Sequence, residues 1–158
     1  MRKLKFYLDT TVFNFVFVDD APKERQVTVK FFEQIDKVNV YISDLVLKEI
    51  GRCPQPRQAN IARLLAKTDY QEIYLNQEAE ILADHYLQQG IIPVKYRDDA
   101  VHIAIASVAG MDVLLSWNFA HMVKLKTKRE VMAVNLLMGY NSIEILSPWE
   151  VVDDIEGT

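Results

Sequence analysis

The chain has little cysteine, glycine or proline: its 158 residues include one cysteine, five glycines and five prolines. A lone Cys53 excludes an internal disulfide framework and a zinc site built on several thiolates, and it indicates a reducing compartment. Few glycines and prolines exclude collagen-like and low-complexity chains. No apolar run approaches the roughly 18 residues of a membrane span. Asp9 and Asn14 interrupt the apolar run after the basic N-terminus, so we expect no signal peptide and a cytoplasmic protein.

The chain also lacks an excess of positive charge. It has 22 acidic and 18 basic residues, for a formal net charge of -4. Such a protein has no global field that attracts nucleic acid, so a nucleic-acid role requires a local basic patch or metal ions. Hydrophobic residues make up 50% of the chain. This length and composition predict a single globular domain over residues 1–158.

Short apolar segments alternate with helical patterns along the chain. We predict strands at residues 4–8, 38–42, 70–75, 111–115 and 142–146. We predict helices at residues 22–37, 45–50, 61–67, 78–89, 98–109 and 128–138. Polar loops are expected at 9–11 and 54–60, and a short acidic tail from Pro148. The alternation predicts an α/β fold, a three-layer α/β/α sandwich with a central parallel sheet.

Acidic residues follow the predicted strands or open the helices that join them. Asp9 follows the first strand, Glu49 lies one helical turn beyond the second, and Asn118 follows the fourth. Asp98 and Asp99 begin the helix that leads into the fourth strand. Parallel sheets form their sites beyond the carboxyl ends of the strands. Clustered carboxylates repel one another unless a cation joins them, and oxygen ligands favour Mg²⁺ or Mn²⁺. The pattern therefore predicts metal-assisted phosphoryl hydrolysis.

Each of these residues also has an ordinary structural explanation. Asp9 suits a turn or cap, Glu49 a solvated helix end, and the Asp98–Asp99 pair the capping of a helix. His102 is either a satisfied buried histidine or a group that orients a ligand carboxylate. Trp117 either packs in the core or offers a surface for base stacking.

Four segments together resemble a known family. They are Leu8-Asp9-Thr10-Thr11-Val12-Phe13, Ser43-Asp44-Leu45-Val46-Leu47-Lys48-Glu49-Ile50, Asp99-Ala100-Val101-His102-Ile103-Ala104-Ile105-Ala106 and Leu114-Leu115-Ser116-Trp117-Asn118. Their order and spacing resemble a PIN domain, most closely the VapC-type toxins of bacterial toxin–antitoxin pairs, over about residues 4–123. The resemblance implies a PIN-like fold and a magnesium- or manganese-dependent endoribonuclease that cleaves RNA.

The resemblance also assigns roles by position. It implies that Asp9, Glu49 and Asp99 are catalytic metal ligands and that the hydroxyl of Thr11 supports Asp9. Asp98 is then a helix cap or an outer group.

The family's fourth acid corresponds to a position that holds Asn118, and the position three residues later, which is sometimes acidic, holds His121. The neutral Asn118 removes one negative charge, which puts a second metal in doubt. The alternative function is therefore a catalytically weakened PIN-fold module that binds RNA or protein.

Partners are expected on three grounds. Lys124, Lys126, Lys128 and Arg129 form the densest basic run and are the candidates for holding an RNA backbone. The resemblance implies an antitoxin protein and a homodimer. An apolar cluster at residues 13 and 15–17 is either core or a partner surface.

A weaker alternative to the ribonuclease is a haloacid-dehalogenase-like phosphatase with Asp9 as nucleophile, although such enzymes usually have a second Asp where this chain has Thr11.

Overall fold

A parallel five-stranded sheet organises the part of the chain that the structure describes. The computed structural model describes residues 2–156, the last by its backbone alone, so both ends of the predicted domain lie outside the described residues. The strands are β1 (Lys5–Leu8), β2 (Asn39–Ser43), β3 (Gln71–Ile73), β4 (Val113–Leu115) and β5 (Glu144–Leu146). Their order is β3-β2-β1-β4-β5, and all neighbours pair in parallel.

Helices connect and cover the strands. They are α1 (Thr10–Asn14), α2 (Pro22–Glu33), α3 (Asp44–Gly51), α4 (Arg57–Ala66), α5 (Gln77–Gln88), α6 (Arg97–Val108), α7 (Leu125–Leu137) and α8 (Pro148–Glu156), with 3₁₀ turns at Ile35–Lys37 and Val94–Tyr96. The predicted α/β/α sandwich with a central parallel sheet is confirmed. Among residues 2–156, no helix has both the length and the apolar character to cross a membrane.

The middle strand fixes where a site can form. β1 pairs with β2 on one side and with β4 on the other, and its Phe6, Tyr7 and Leu8 are buried. The strand order reverses here, because the chain goes from β1 to β2 in one direction and later returns to β4 in the other. A crevice at such a reversal, beyond the carboxyl ends of the strands, is where open α/β sheets bind ligands.

The polar loop predicted at residues 9–11 is wrong. A short helix, α1, starts at Thr10, directly after β1. Asp9 is its N-cap, and the Asp9 carboxylate accepts a hydrogen bond from the Thr11 amide at 3.0 Å. Five residues are too few to show a helical period, so only the capping residue signals this helix.

Several further boundaries differ from the prediction: the helix predicted at 22–37 ends at Glu33, and the one predicted from 128 begins at Leu125. The 54–60 loop is too long, because α4 begins at Arg57. The acidic tail from Pro148 is wrong, because these residues form α8 and bury Val151, Val152 and Ile155. Pro148 suits a first helical turn, and the Glu150 carboxylate accepts from the Ser147 amide at 3.0 Å, which satisfies a donor at the helix start.

Candidate active site at the carboxyl edge of the sheet

Asp9 lies at the centre of the crevice. It follows β1 directly and is only 2% exposed. Its Oδ1 accepts hydrogen bonds from the Thr11 amide and the Thr11 hydroxyl, and its Oδ2 accepts one from the Ser116 hydroxyl at the end of β4. The two neighbouring strands thus supply the carboxylate and the groups that hold it.

Backbone amides set the direction of both hydroxyl protons. Thr11 Oγ1 accepts from the Trp117 amide at 2.9 Å, and Ser116 Oγ accepts from the Asn118 amide at 2.9 Å. Each hydroxyl has one proton, and with the amide bound as donor that proton is free to point at Asp9.

The charge on Asp9 is only partly compensated. Burial raises the pKa of Asp9, while the charge of His102 and the two hydroxyl hydrogen bonds lower it, and the net direction is upward. A buried carboxylate in this state is a group that a bound cation would stabilise.

Glu49 reaches the crevice from α3. Its Oε1 accepts hydrogen bonds from the Thr10 hydroxyl and from His102 Nε2, the latter at 2.7 Å. Burial by itself raises the pKa of Glu49. The hydrogen bond and charge of His102, with help from Thr10 and Arg52, outweigh it, so this pKa lies below its ordinary value. Glu49 is therefore an oriented, ionised carboxylate.

His102 connects the acids to the core. It is buried on α6, and its Nδ1 lies 2.6 Å from the Tyr7 hydroxyl, which in turn lies 2.7 Å from Ser43 Oγ. Burial lowers the pKa of His102, but Glu49, Asp9 and Asp99 raise it further, so the net direction is upward. His102 is thus a satisfied buried histidine and also the group that orients Glu49. The charges of all three predicted acids act on His102.

Asp99 and Asp98 have different surroundings. Asp99 Oδ2 lies 3.1 Å from Nδ1 of His121, on the loop after β4, and the Asp99 side chain is mostly buried. Asp98 is exposed and lies 3.9 Å from Arg52, the residue directly after α3. The inner position of Asp99 and the outer position of Asp98 follow from their places on the first turn of α6.

Asn118 shapes the loop between β4 and α7. Its Oδ1 accepts from the His121 amide at 3.0 Å, and its backbone carbonyl accepts from the Val123 amide at 2.8 Å. One lone pair of the side-chain oxygen is therefore used to position His121, the partner of Asp99.

The donor set suits a magnesium-type cation, although it is not assembled into a closed cage. Among the described residues, no three His, Cys, Asp or Glu side chains are placed to hold a metal by themselves. Within residues 2–156, Glu49 Oε2 and Asp99 Oδ1 carry no hydrogen bond. Mg²⁺ retains several waters and uses only one or two carboxylates, so Asp9 with either neighbour fits its chemistry.

The basic run lies beside this loop. Lys124, Lys126 and Arg129 are exposed at the start of α7, whereas Lys128 lies 3.9 Å from Glu150 of α8. The Thr127 hydroxyl donates to the His121 carbonyl at 3.2 Å, which ties the first turn of α7 to the loop.

Three hydroxyl groups at the site had no role in the sequence prediction. Thr10 binds Glu49, Ser116 binds Asp9, and Tyr7 binds His102. The sequence position of Ser116 could have indicated its role, because Ser116 follows the buried strand β4 as Asp9 follows the buried strand β1, and these two strands are neighbours. Tyr7 gave no signal, since an aromatic residue in a buried strand is ordinary core.

Comparisons with known proteins identify the fold. No protein-family model and no curated protein sequence matches the chain. Among solved structures, VapBC2 from Rickettsia felis, bound to a DNA fragment from its promoter, matches with a TM-score of 0.58 at 12% identity, over 91% of this chain and 98% of that one. The chain has a VapC-like PIN fold.

Two other structures agree. DNA-bound VapBC from Salmonella typhimurium matches with a TM-score of 0.53 at 18% identity, over 92% of this chain and 98% of that one. Mycobacterium tuberculosis VapC20, a toxin that cleaves the sarcin-ricin loop, matches with a TM-score of 0.51 at 16% identity, over 69% of this chain and 86% of that one. At these identities the likeness concerns the PIN fold.

Proposed function

We propose that the chain is a magnesium- or manganese-dependent endoribonuclease and the toxin of a toxin–antitoxin pair. The observation that carries this proposal is the hydrogen-bonded placement of two carboxylates at the carboxyl edge of a VapC-like PIN sheet: Ser116 donates to Asp9, and Thr10 and His102 bind Glu49. The RNA substrate has support from VapC20, which shares the fold and cleaves the sarcin-ricin loop.

The candidate ligands of the cation are Asp9, Glu49 and Asp99, and Asp9 would hold it together with one of the other two. When bound there, such a cation activates water and neutralises the charge that develops on a phosphodiester. The surrounding residues keep the ligands in place. Thr11 and Ser116 orient the Asp9 carboxylate, while Thr10 and His102 orient Glu49.

For Asn118 we propose that the side chain positions His121 and supplies a further oxygen to the site. Its side-chain oxygen already accepts from the His121 amide, and the second lone pair of that oxygen is the one available to the site. His121 in turn contacts Asp99. Asn118 thereby places the partner of the third acid.

For RNA binding we propose Lys124, Lys126, Lys128 and Arg129. Lys124, at the N-cap of α7, and Lys126 and Arg129 on α7 are exposed next to the loop that carries Asn118, as an RNA-backbone contact requires. Lys128 contributes less, because Glu150 lies within 3.9 Å of it. In a protein of net charge -4, phosphate binding depends on such a local cluster.

Partners are proposed from the fold likeness and the sequence resemblance. Two of the similar structures are VapBC complexes. We propose an antitoxin protein as a partner, a second copy of the chain as a homodimer partner, and the cytoplasm as the location.

A catalytically weakened binding module is the second candidate. Asn118 stands in place of a fourth acid, and no three described side chains form a metal-holding group without rearrangement. Calorimetric titration with MnCl₂ distinguishes the two functions. Saturable binding that Asp99→Asn weakens supports the enzyme, and the absence of saturable binding supports the module.

The nuclease proposal is tested by cleavage of a labelled RNA with and without MgCl₂. Wild type should cleave only with the metal, and Asp9→Asn should lower the rate by at least about 100-fold, since even outer partners of metal ligands cost 10- to 100-fold. Equal activity of the two proteins, or full activity in a chelator, would contradict the proposal.

A further inference from the structure

Four aromatic side chains form a continuous surface next to the candidate site. This aromatic platform consists of Phe15, Trp117, Phe119 and Trp149. Trp117 is its base: the ring centroid lies 5.2 Å from Phe15, 6.1 Å from Phe119 and 5.6 Å from Trp149. Trp117 is 5% exposed and donates from Nε1 to the Thr28 hydroxyl at 2.8 Å, so it belongs to the packed core.

The outer two rings of the platform face solvent. Phe119 is 48% exposed and Trp149 is 45% exposed. Both contact the buried Trp117 edge to face, at interplanar angles of 63° and 87°. Contact with a fixed ring restricts their motion, which reduces the entropy lost when a ligand stacks on them.

The platform is coupled directly to the site. The Trp117 amide donates to Thr11 Oγ1, which is hydrogen-bonded to Asp9, and Asn118 separates Trp117 from Phe119 in the chain. A single residue, Thr11, thus separates the Trp117 backbone from Asp9 in the hydrogen-bond network.

Cationic groups accompany the exposed rings. The loop from Asn118 closes through the Val123 amide, which donates to the Asn118 carbonyl at 2.8 Å, so Lys124 follows immediately on the loop that carries Phe119. Lys126 is exposed on the first turn of α7. Exposed aromatic rings with cations beside them are the combination that binds single-stranded nucleic acid.

We propose that the platform binds unpaired bases of a single-stranded RNA, with Phe119 and Trp149 stacking on bases and Lys124 and Lys126 contacting phosphates. This inference rests on the proposed ribonuclease function, whose substrate it restricts to RNA with unstacked bases beside the scissile bond. Duplex RNA does not qualify, because its bases are paired and stacked on one another and protein reads it through its backbone and minor groove. The lysines favour this occupant over an apolar peptide, for which flanking cations provide no complement.

The test measures RNA binding apart from cleavage, in the Asp9→Asn background. Anisotropy of a labelled single-stranded oligonucleotide is compared for Phe119→Leu and Trp149→Leu, with Phe119→Tyr and Trp149→Phe as controls that retain an aromatic face. Each Leu variant should raise the Kd about 5-fold or more, the range that loss of one stacked base covers, and each control should stay within about 2-fold. Circular dichroism melting establishes that the variants are folded.

Two further readouts distinguish stacking from general apolar contact. A 5-bromouridine oligonucleotide should quench tryptophan fluorescence in the parent and less in Trp149→Phe, and a duplex of the same sequence should bind more weakly. Leu variants that bind like the parent, or equal binding of duplex and single strand, would overturn the proposal.

The two proposals fail in distinguishable ways. If Asp9→Asn retains cleavage while the Leu variants lose RNA affinity, the assignment of Asp9 fails and the platform stands. If the wild type cleaves RNA in a metal-dependent way while the Leu variants bind normally, the nuclease stands and the platform is rejected.

Discussion

At the scale of single residues, the site depends on two hydroxyl groups, those of Thr11 and Ser116, that donate their protons towards Asp9. Ser116 accepts from the Asn118 amide and donates to Asp9, and Thr11 does the same with the Trp117 amide. The carboxylate is thereby fixed without a basic residue in direct contact. Its charge remains available to a cation, which an arginine at the same place would have neutralised.

We predict that Ser116→Ala lowers the cleavage rate about 10- to 100-fold, the range found when partners of metal ligands are removed. Asp9 loses one of its hydroxyl hydrogen bonds, so the pKa of this carboxylate rises further and the carboxylate is less firmly oriented. Cleavage rate and MnCl₂ affinity are the measurements.

Ser107→Ala is the matched control. Ser107 is also a buried serine, but it accepts from Asn135 at 3.0 Å, between α6 and α7 and away from the acids. It should lower stability without changing the cleavage rate of the folded protein. A similar loss of rate in both variants would show that Ser116 acts through stability alone.

At the scale of elements, one acidic residue joins the starts of the two central strands. The Asp112 carboxylate accepts from the Lys5 amide at 2.8 Å, and the Asp112 amide donates to the Lys5 carbonyl at 3.0 Å. Arg2 donates to both oxygens of the same carboxylate, at 2.9 and 3.0 Å. Asp112 therefore aligns β1 with β4 at the edge of the sheet opposite the site.

Asp112→Asn should lower the free energy of unfolding at pH 7 by about 1.5 kcal/mol, the low end of the range for a hydrogen bond to a charged group, because the Arg2 side chain is exposed. The hydrogen bond from Arg2 holds the pKa of Asp112 below its ordinary value; partial burial opposes this shift and the Lys5 amide reinforces it. Because the pKa of Asp112 is lower in the folded state, this carboxylate stabilises the fold at pH values above its unfolded pKa of about 3.9. The stabilisation is lost as the pH falls through the folded-state pKa.

The difference between Asp112→Asn and wild type should therefore shrink in urea unfolding below about pH 4. Asp69→Asn is the control, since Asp69 is exposed two residues before β3. A difference that stays constant with pH, or an equal effect in the control, would contradict the assignment.

The boundaries of a helix or strand can be predicted where the hydrophobic periodicity extends over several turns and a residue such as glycine marks the end. The helix predicted from Asp98 agrees with α6 within one residue, because apolar residues fill it and Gly110 follows it. The sequence does not predict α8, because its apolar positions, among them Val152 and Ile155, are interspersed with acids that are typical of a solvated tail. Packing against the core decided its structure, and single-residue composition carries no information about that packing.

At the scale of the whole molecule, the three candidate acids Asp9, Glu49 and Asp99 lie 40 and 50 residues apart in the chain. Because parallel strands have their carboxyl ends at one edge, the sequence predicts a shared site for these acids. It did not allow the hydrogen-bond partners to be predicted. The contacts of Asp99 with His121 and of Glu49 with His102 depend on side-chain geometry across separate helices.

The central claim is that Asp9, with its neighbouring acids, holds a divalent cation at the carboxyl edge of the sheet. Anomalous diffraction from crystals soaked in MnCl₂ tests it most directly. We expect a manganese peak against the Asp9 carboxylate, shared with Glu49 or Asp99, and no such peak in Asp9→Asn crystals. A peak remote from Asp9, an unchanged peak in the variant, or no peak at saturating manganese would contradict it.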